Sequence, residues 1–215
     1  MAYYERRSMG LGAGVITIAL IAVNLVVFLF GMVDRGGSIG YLALIPGYVL
    51  QDGAWWQVFT YMFVHASWSH IFFNMLALFL FGTQLEARMR GLDFLVFYVV
   101  CGIGAGLVTV FFNHAIGMDG VPVVGASGAV YGLLLAFAAF FPEDRIFVFG
   151  ILPMKAPTAV LVFAVIEIVS QGLNLQQGVA HIAHLSGLVF AWLYLLIRWK
   201  VNALTIFFRR RLPPY

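Results

Sequence analysis

Charge is what this sequence lacks. Of its 215 residues only 10% are Asp, Glu, Lys or Arg, against roughly 25% in a soluble domain. Apolar residues make up 63% and the mean hydropathy is +0.98, which excludes a soluble globular class. Cysteine is nearly absent too. Cys101 stands alone in an apolar run, so no internal disulfide forms and the redox compartment is unreadable. No Gly-rich phosphate loop follows a strand, and no basic and aromatic surface suggests a nucleic-acid partner. The five histidines are not joined along the chain by a thiol or carboxylate at ligand spacing. No metal site is therefore expected.

What the chain does have is apolar runs along its whole length. Six are long enough to cross a bilayer, which takes roughly 17–25 residues per helix. They fall at about 11–32, 64–83, 92–112, 126–142, 156–173 and 178–200, the fourth and fifth being short. The expected fold is an all-α membrane protein, a six-transmembrane-helix bundle forming a single domain over 1–215 with its core at about 11–200. The first run follows Arg6 and Arg7 as a signal peptide would, but it is too long and lacks a small-residue cleavage site, so it reads as a retained span. Eleven of the twelve basic residues fall on one side: Arg6, Arg7, Arg88, Arg90, Arg145, Lys155, Arg198, Lys200, Arg209, Arg210 and Arg211. Only Arg35 falls on the other. The positive-inside rule puts both termini in the cytoplasm, and the pI near 9.2 is a topology signal.

In that topology the second, fourth and sixth spans run from outside to inside. His70 and Asn74, Ser127, and His184 then sit in the outer halves of their helices. Polar residues at such depth are costly and mark function. His70 and Asn74 are four apart, share a helix face and can both donate to a negative oxygen. Ser127 opens its helix, where unpaired N–H groups and the positive dipole end favour an anion. Backbone donors around Ser127 with His70 and Asn74 outline an oxyanion hole. Gly125 and Gly128 flank the serine without side chains. Gly128 and Gly132 form a small-residue stripe, and Gly187 and Ala191 a matching one below His184. That close approach is what a Ser–His hydrogen bond requires. Tyr131, one turn below Ser127 on its face, is placed where it could pack against the imidazole. The constellation points to a serine protease working inside the bilayer.

Gly125-Ala126-Ser127-Gly128, His70-Ile71-Phe72-Phe73-Asn74 and Ala183-His184-x-x-Gly187 resemble the motifs of the rhomboid intramembrane serine proteases. Tyr131, Gly82-Thr83-Gln84-Leu85-Glu86 and Arg88 fit the same pattern. Trp55-Trp56-Gln57 departs from it, because the family usually has Arg where Gln57 stands, which leaves the packing of the first external loop open. The resemblance implies a Ser127–His184 dyad with no carboxylate third member, and neither catalytic helix offers an acid nearby. It implies that the Ser127 and Ala126 amides join His70 and Asn74 in holding the oxyanion. It further implies single-span membrane proteins as substrates, cut near the external face and entering past the fifth helix and the Ser170–Gly178 cap. The expected location is a cell membrane, the prokaryotic plasma membrane in particular, with the lipid bilayer as partner and no cofactor.

Two other readings compete. A catalytically silent, client-binding relative would have lost the serine or the histidine, and both are here. A small transporter would use buried polar residues along its path, and Glu167 inside the fifth span is the best feature for it. The sixth span offers two histidines. His184 is preferred as base for its small-residue stripe, and His181 is expected at a partly wet cavity rim.

Overall fold

The computed structural model describes residues 14–34, 37–148, 150–172 and 181–208. Arg6, Arg7, Arg35, Arg209, Arg210, Arg211 and most of the Ser170–Gly178 cap lie outside the described residues. All six expected segments are helical: α1 (Val15–Val33), α5 (Trp68–Met89), α6 (Gly91–Ala115), α7 (Ser127–Phe140), α8 (Ala156–Gly172) and α9 (His181–Arg198). Four of these, α1, α5, α6 and α9, are long and apolar enough to cross a membrane, while α7 and α8 are shorter apolar helices.

The stretch between α1 and α5 holds structure the apolar pattern does not announce. It contains α2 (Gly37–Leu42), α3 (Pro46–Gln51), α4 (Gln57–Thr60) and a 3-10 turn at Tyr61–Phe63. The second span, expected from 64, begins at Trp68. Ser67 is extended there and its side chain accepts the His70 N–H, capping the first turn and ending the preceding loop. A short antiparallel hairpin, β1 (Arg145–Val148) and β2 (Leu152–Lys155), joins α7 to α8, and α10 (Thr205–Phe208) follows α9.

Burial explains the arrangement. On α1 only Thr17, Leu20, Asn24 and Phe28 are buried, a single stripe at helical spacing turned to α5. A Cβ on Gly82 would lie 3.0 Å from the Thr17 side chain, so α1 crosses α5 there. α7 is the opposite case, apolar on every side and buried on nearly every side. Its 14 residues rise about 21 Å at 1.5 Å each, short of a hydrocarbon core of about 30 Å. Helices α5, α6, α8 and α9 surround it.

The chain reaches α7 by a tethered route. Leu44 and Val123 exchange backbone hydrogen bonds of 2.9 and 2.8 Å, and the Gly125 N–H donates to the Tyr61 carbonyl at 2.9 Å. Tyr61 and Met62 nest against α6, where Cβ atoms on Gly106 and Gly102 would meet them at 2.9 and 2.1 Å. The Tyr61 hydroxyl donates to the Gly102 carbonyl at 2.7 Å. The start of α7 is thereby fixed to α6 through the loop.

Candidate active site

Ser127 is the first residue of α7, preceded by Ala126. Gly125 sits at φ +117°, and a Cβ there would lie 2.7 Å from His70 Nε2. A side chain at 125 is therefore excluded twice, by backbone conformation and by the imidazole. On α9, His184 lies in the first turn with its Nε2 2.7 Å from Ser127 Oγ. The two small-residue stripes make that distance attainable. A Cβ on Gly187 would lie 1.9 Å from the Gly128 carbonyl oxygen, and one on Gly128 would lie 3.4 Å from the Ala183 carbonyl oxygen. Tyr131 stacks flat on the His184 ring, centroids 4.4 Å apart at 6°.

His70 turns Nδ1 toward the Ala66 N–H, at 3.5 Å, and Nε2 toward Gly125. With Nδ1 accepting, Nε2 carries the proton, so a donor faces the mouth of α7. Asn74 is buried on the same helix, and its Nδ2 donates to the His70 carbonyl at 2.9 Å. One N–H of the Asn74 amide is thus spent within α5.

Two expectations are corrected. The two catalytic helices carry no acid, yet an acid reaches the site from α8. Glu167 Oε1 lies 3.0 Å from His184 Nδ1. The signal was the carboxylate itself, alone in an apolar run; sequence distance hid its partners. His181 is not at a wet rim. It is 6% exposed, with Nδ1 2.5 Å from Glu167 Oε2. The absence of metal-ligand spacing holds only along the chain. In space, ligand atoms of Glu167, His181 and His184 lie within 4.8 Å of one another.

Sequence reasoning also missed His65, in the loop ahead of α5. It is buried and meets the His70 ring edge to face, centroids 4.9 Å apart at 65°. Burial first, and the neighbouring His70 second, push its imidazole down to about 4. Gln57, where the family pattern has Arg, is 1% exposed. Its Oε1 accepts the Ile45 N–H at 3.0 Å, and its Nε2 donates to the Gly40 and Tyr41 carbonyls at 3.4 and 3.3 Å. A neutral amide suffices because the groups it meets are all backbone.

A serine at a helix start, an imidazole on its oxygen and a donor beside it match the motifs that first suggested the family. A model of the Rhomboid domain matches residues 52–201. The chain belongs to the rhomboid family. It is 30% identical over 191 residues to Rhomboid protease GlpG of Haemophilus influenzae, covering 88% of this chain and 93% of that one. It is 30% identical over 174 residues to Putative rhomboid protease YdcA of Bacillus subtilis, covering 79% and 81%. With Rhomboid protease AarA of Providencia stuartii it shares 26% over 221 residues, 89% and 76% of the two chains. This rhomboid is a multi-pass membrane protein from a family of membrane proteases.

Proposed function

We propose that the chain is an intramembrane serine endopeptidase that uses Ser127 as nucleophile and His184 as general base. The observation that carries this is the 2.7 Å contact between His184 Nε2 and Ser127 Oγ, with the Tyr131 ring stacked on the imidazole. His184 takes the serine proton as Oγ attacks the scissile carbonyl, then returns it to the leaving amine. Negative charge on the tetrahedral oxygen is held by the Ser127 and Ala126 amides and by His70 Nε2–H. The second N–H of the Asn74 amide completes the set. Gly125 and Gly128 give the substrate backbone room beside the serine.

The fold in this reading is one domain of six membrane helices with both termini cytoplasmic. Arg88 at the end of α5 lies 5.0 Å over the Phe140 ring and 5.5 Å over the Trp199 ring. Arg198 pairs with Asp93 at 2.8 Å. The basic ends of α5 and α9 and the start of α6 therefore share one end of the molecule, which supports a single cytoplasmic face. The serine opens α7 toward the other end, near the external face, where single-span membrane proteins are the substrates.

The test is active-site labelling of the full chain in detergent with a fluorophosphonate, together with cleavage of a single-span test protein in liposomes. Wild type labels at Ser127 and cleaves. Ser127→Ala does neither while keeping its thermal unfolding midpoint. A wild type that never labels would instead favour a client-binding, catalytically silent role.

A further inference from the structure

Glu167 is the residue the proposed dyad leaves unused. On α8 the side chains of Leu161, Val165, Ile168 and Val169 are exposed, while Ala156, Ala159, Val160, Glu167 and Ser170 are buried. The helix thus turns its one carboxylate inward. An acid at membrane depth is expensive unless partnered, and both oxygens of this one are partnered. Oε1 accepts the Tyr131 hydroxyl and lies 3.0 Å from His184 Nδ1, while Oε2 lies 2.5 Å from His181 Nδ1.

The two nitrogens of His184 face different groups, Nε2 toward Ser127 and Nδ1 toward Glu167. A proton held on Nδ1 by the carboxylate leaves the lone pair on Nε2, which is the form a base needs. Tyr131 adds to this twice, as the ring beneath the imidazole and as a donor to the same carboxylate. From the geometry we infer that Glu167 is a positioning residue, completing a Ser127–His184–Glu167 relay in which α8 fixes the tautomer of His184 and stabilises its imidazolium. The inference rests on the reading of Ser127 and His184 as nucleophile and base. His184 Nδ1 makes no aligned hydrogen bond in this state despite its 3.0 Å approach, so the effect is smaller than that of a straight triad.

The groups facing His184 are Glu167 from α8, Ser127 and Tyr131 from α7, His70 from α5 and His181 from its own helix. Glu167→Gln changes one charge among them and no volume. In the full chain in detergent, fluorophosphonate labelling at Ser127 is followed against pH. The plateau rate of Glu167→Gln falls about 10- to 100-fold, part of what acid–base catalysis supplies. Glu167→Asp keeps the charge and recovers most of that rate. An unchanged plateau in Glu167→Gln, with wild type labelling normally, would overturn the inference. A wild type that fails to label at Ser127 overturns the underlying reading instead. Should Glu167→Gln not fold, ¹⁵N spectra of wild-type histidines, assigned by comparison with His184→Ala, decide the matter. A proton on Nδ1 supports the relay, and one on Nε2 at neutral pH overturns it. Loss of wild-type labelling on treatment with a chelator would also overturn it, since the same three groups would then be holding a cation.

Discussion

Tyr131 separates two contributions that a single deletion would confuse. Tyr131→Phe keeps the stack on His184 and removes only the donor to Glu167. A buried carboxylate left one donor short costs about 1–3 kcal/mol, which thermal unfolding in detergent reads directly. Tyr131→Ala also loses the stack, worth about 0.5–1.5 kcal/mol more, and is expected to label at Ser127 more slowly than Tyr131→Phe. His65 gives a pH-dependent counterpart. Its imidazole is pushed down to about 4 in the folded protein, from about 6.5 when unfolded. The folded state therefore binds fewer protons between those values. The neutral ring contributes stability in full above pH 6.5, and that contribution is lost as pH falls toward 4, about 3 kcal/mol in all. His65→Phe keeps an aromatic edge against His70 and removes the titration. Its unfolding midpoint should fall less steeply than that of wild type between pH 6.5 and 4, and an equal slope would remove His65 from the account.

Between elements, the separation of α7 and α9 decides whether the site exists. At Gly187 an added Cβ would lie 1.9 Å from the Gly128 carbonyl, which is backbone and cannot give. Gly187→Ala must push the two helices apart, carrying His184 away from Ser127. The expected cost is about 1–3 kcal/mol from overpacking, with loss of labelling at Ser127 beyond what the lower stability explains. Gly120→Ala, where nothing lies within 4 Å, is the matched control and should be silent in both measurements. These stripes were readable in the sequence because small residues four apart on a membrane helix have one common use. The glycines of α6 were not. Gly102 and Gly106 have the same spacing, yet they receive Met62 and Tyr61 from a loop, and Gly104 receives Phe190 of α9. Spacing tells where a neighbour comes close and not which neighbour it is. The hairpin at Arg145–Lys155 and the short helices before α5 were hidden for a related reason, since hydropathy marks what meets lipid and is blind to how a loop packs on protein.

For the whole molecule, the six helical segments were legible because burying backbone polar groups in lipid leaves the chain little choice but helix. Ser127, His184, His70 and Tyr131 were legible because polar or aromatic groups at one depth in an apolar chain stand out. Glu167 stood out equally, but its partners lie 36, 14 and 17 residues away on two other helices, and nothing in the order of residues joins them. Glu86 is the same kind of case, with a structural outcome. The first helix begins after Gly14 at φ +97° with no side-chain cap of its own. Its free N–H groups are met from α5 instead, where Glu86 accepts from the Ile16 N–H at 3.0 Å and from the Thr17 N–H and hydroxyl, each at 2.8 Å. A carboxylate at a helix N-terminus is favoured by the dipole as well as by the bonds. This contact holds α1 to a bundle on which it otherwise buries one narrow stripe. Glu86→Gln keeps the shape and one acceptor oxygen but loses the charge, and should destabilise by about 1–3 kcal/mol. Sixteen residues of α5, about 24 Å of rise, separate Glu86 from His70. The labelling rate of Ser127 per folded molecule should therefore remain that of wild type while the unfolding midpoint drops. Equal losses of midpoint and labelling rate would mean that α1 bears on the site itself, and that the two ends of α5 are coupled.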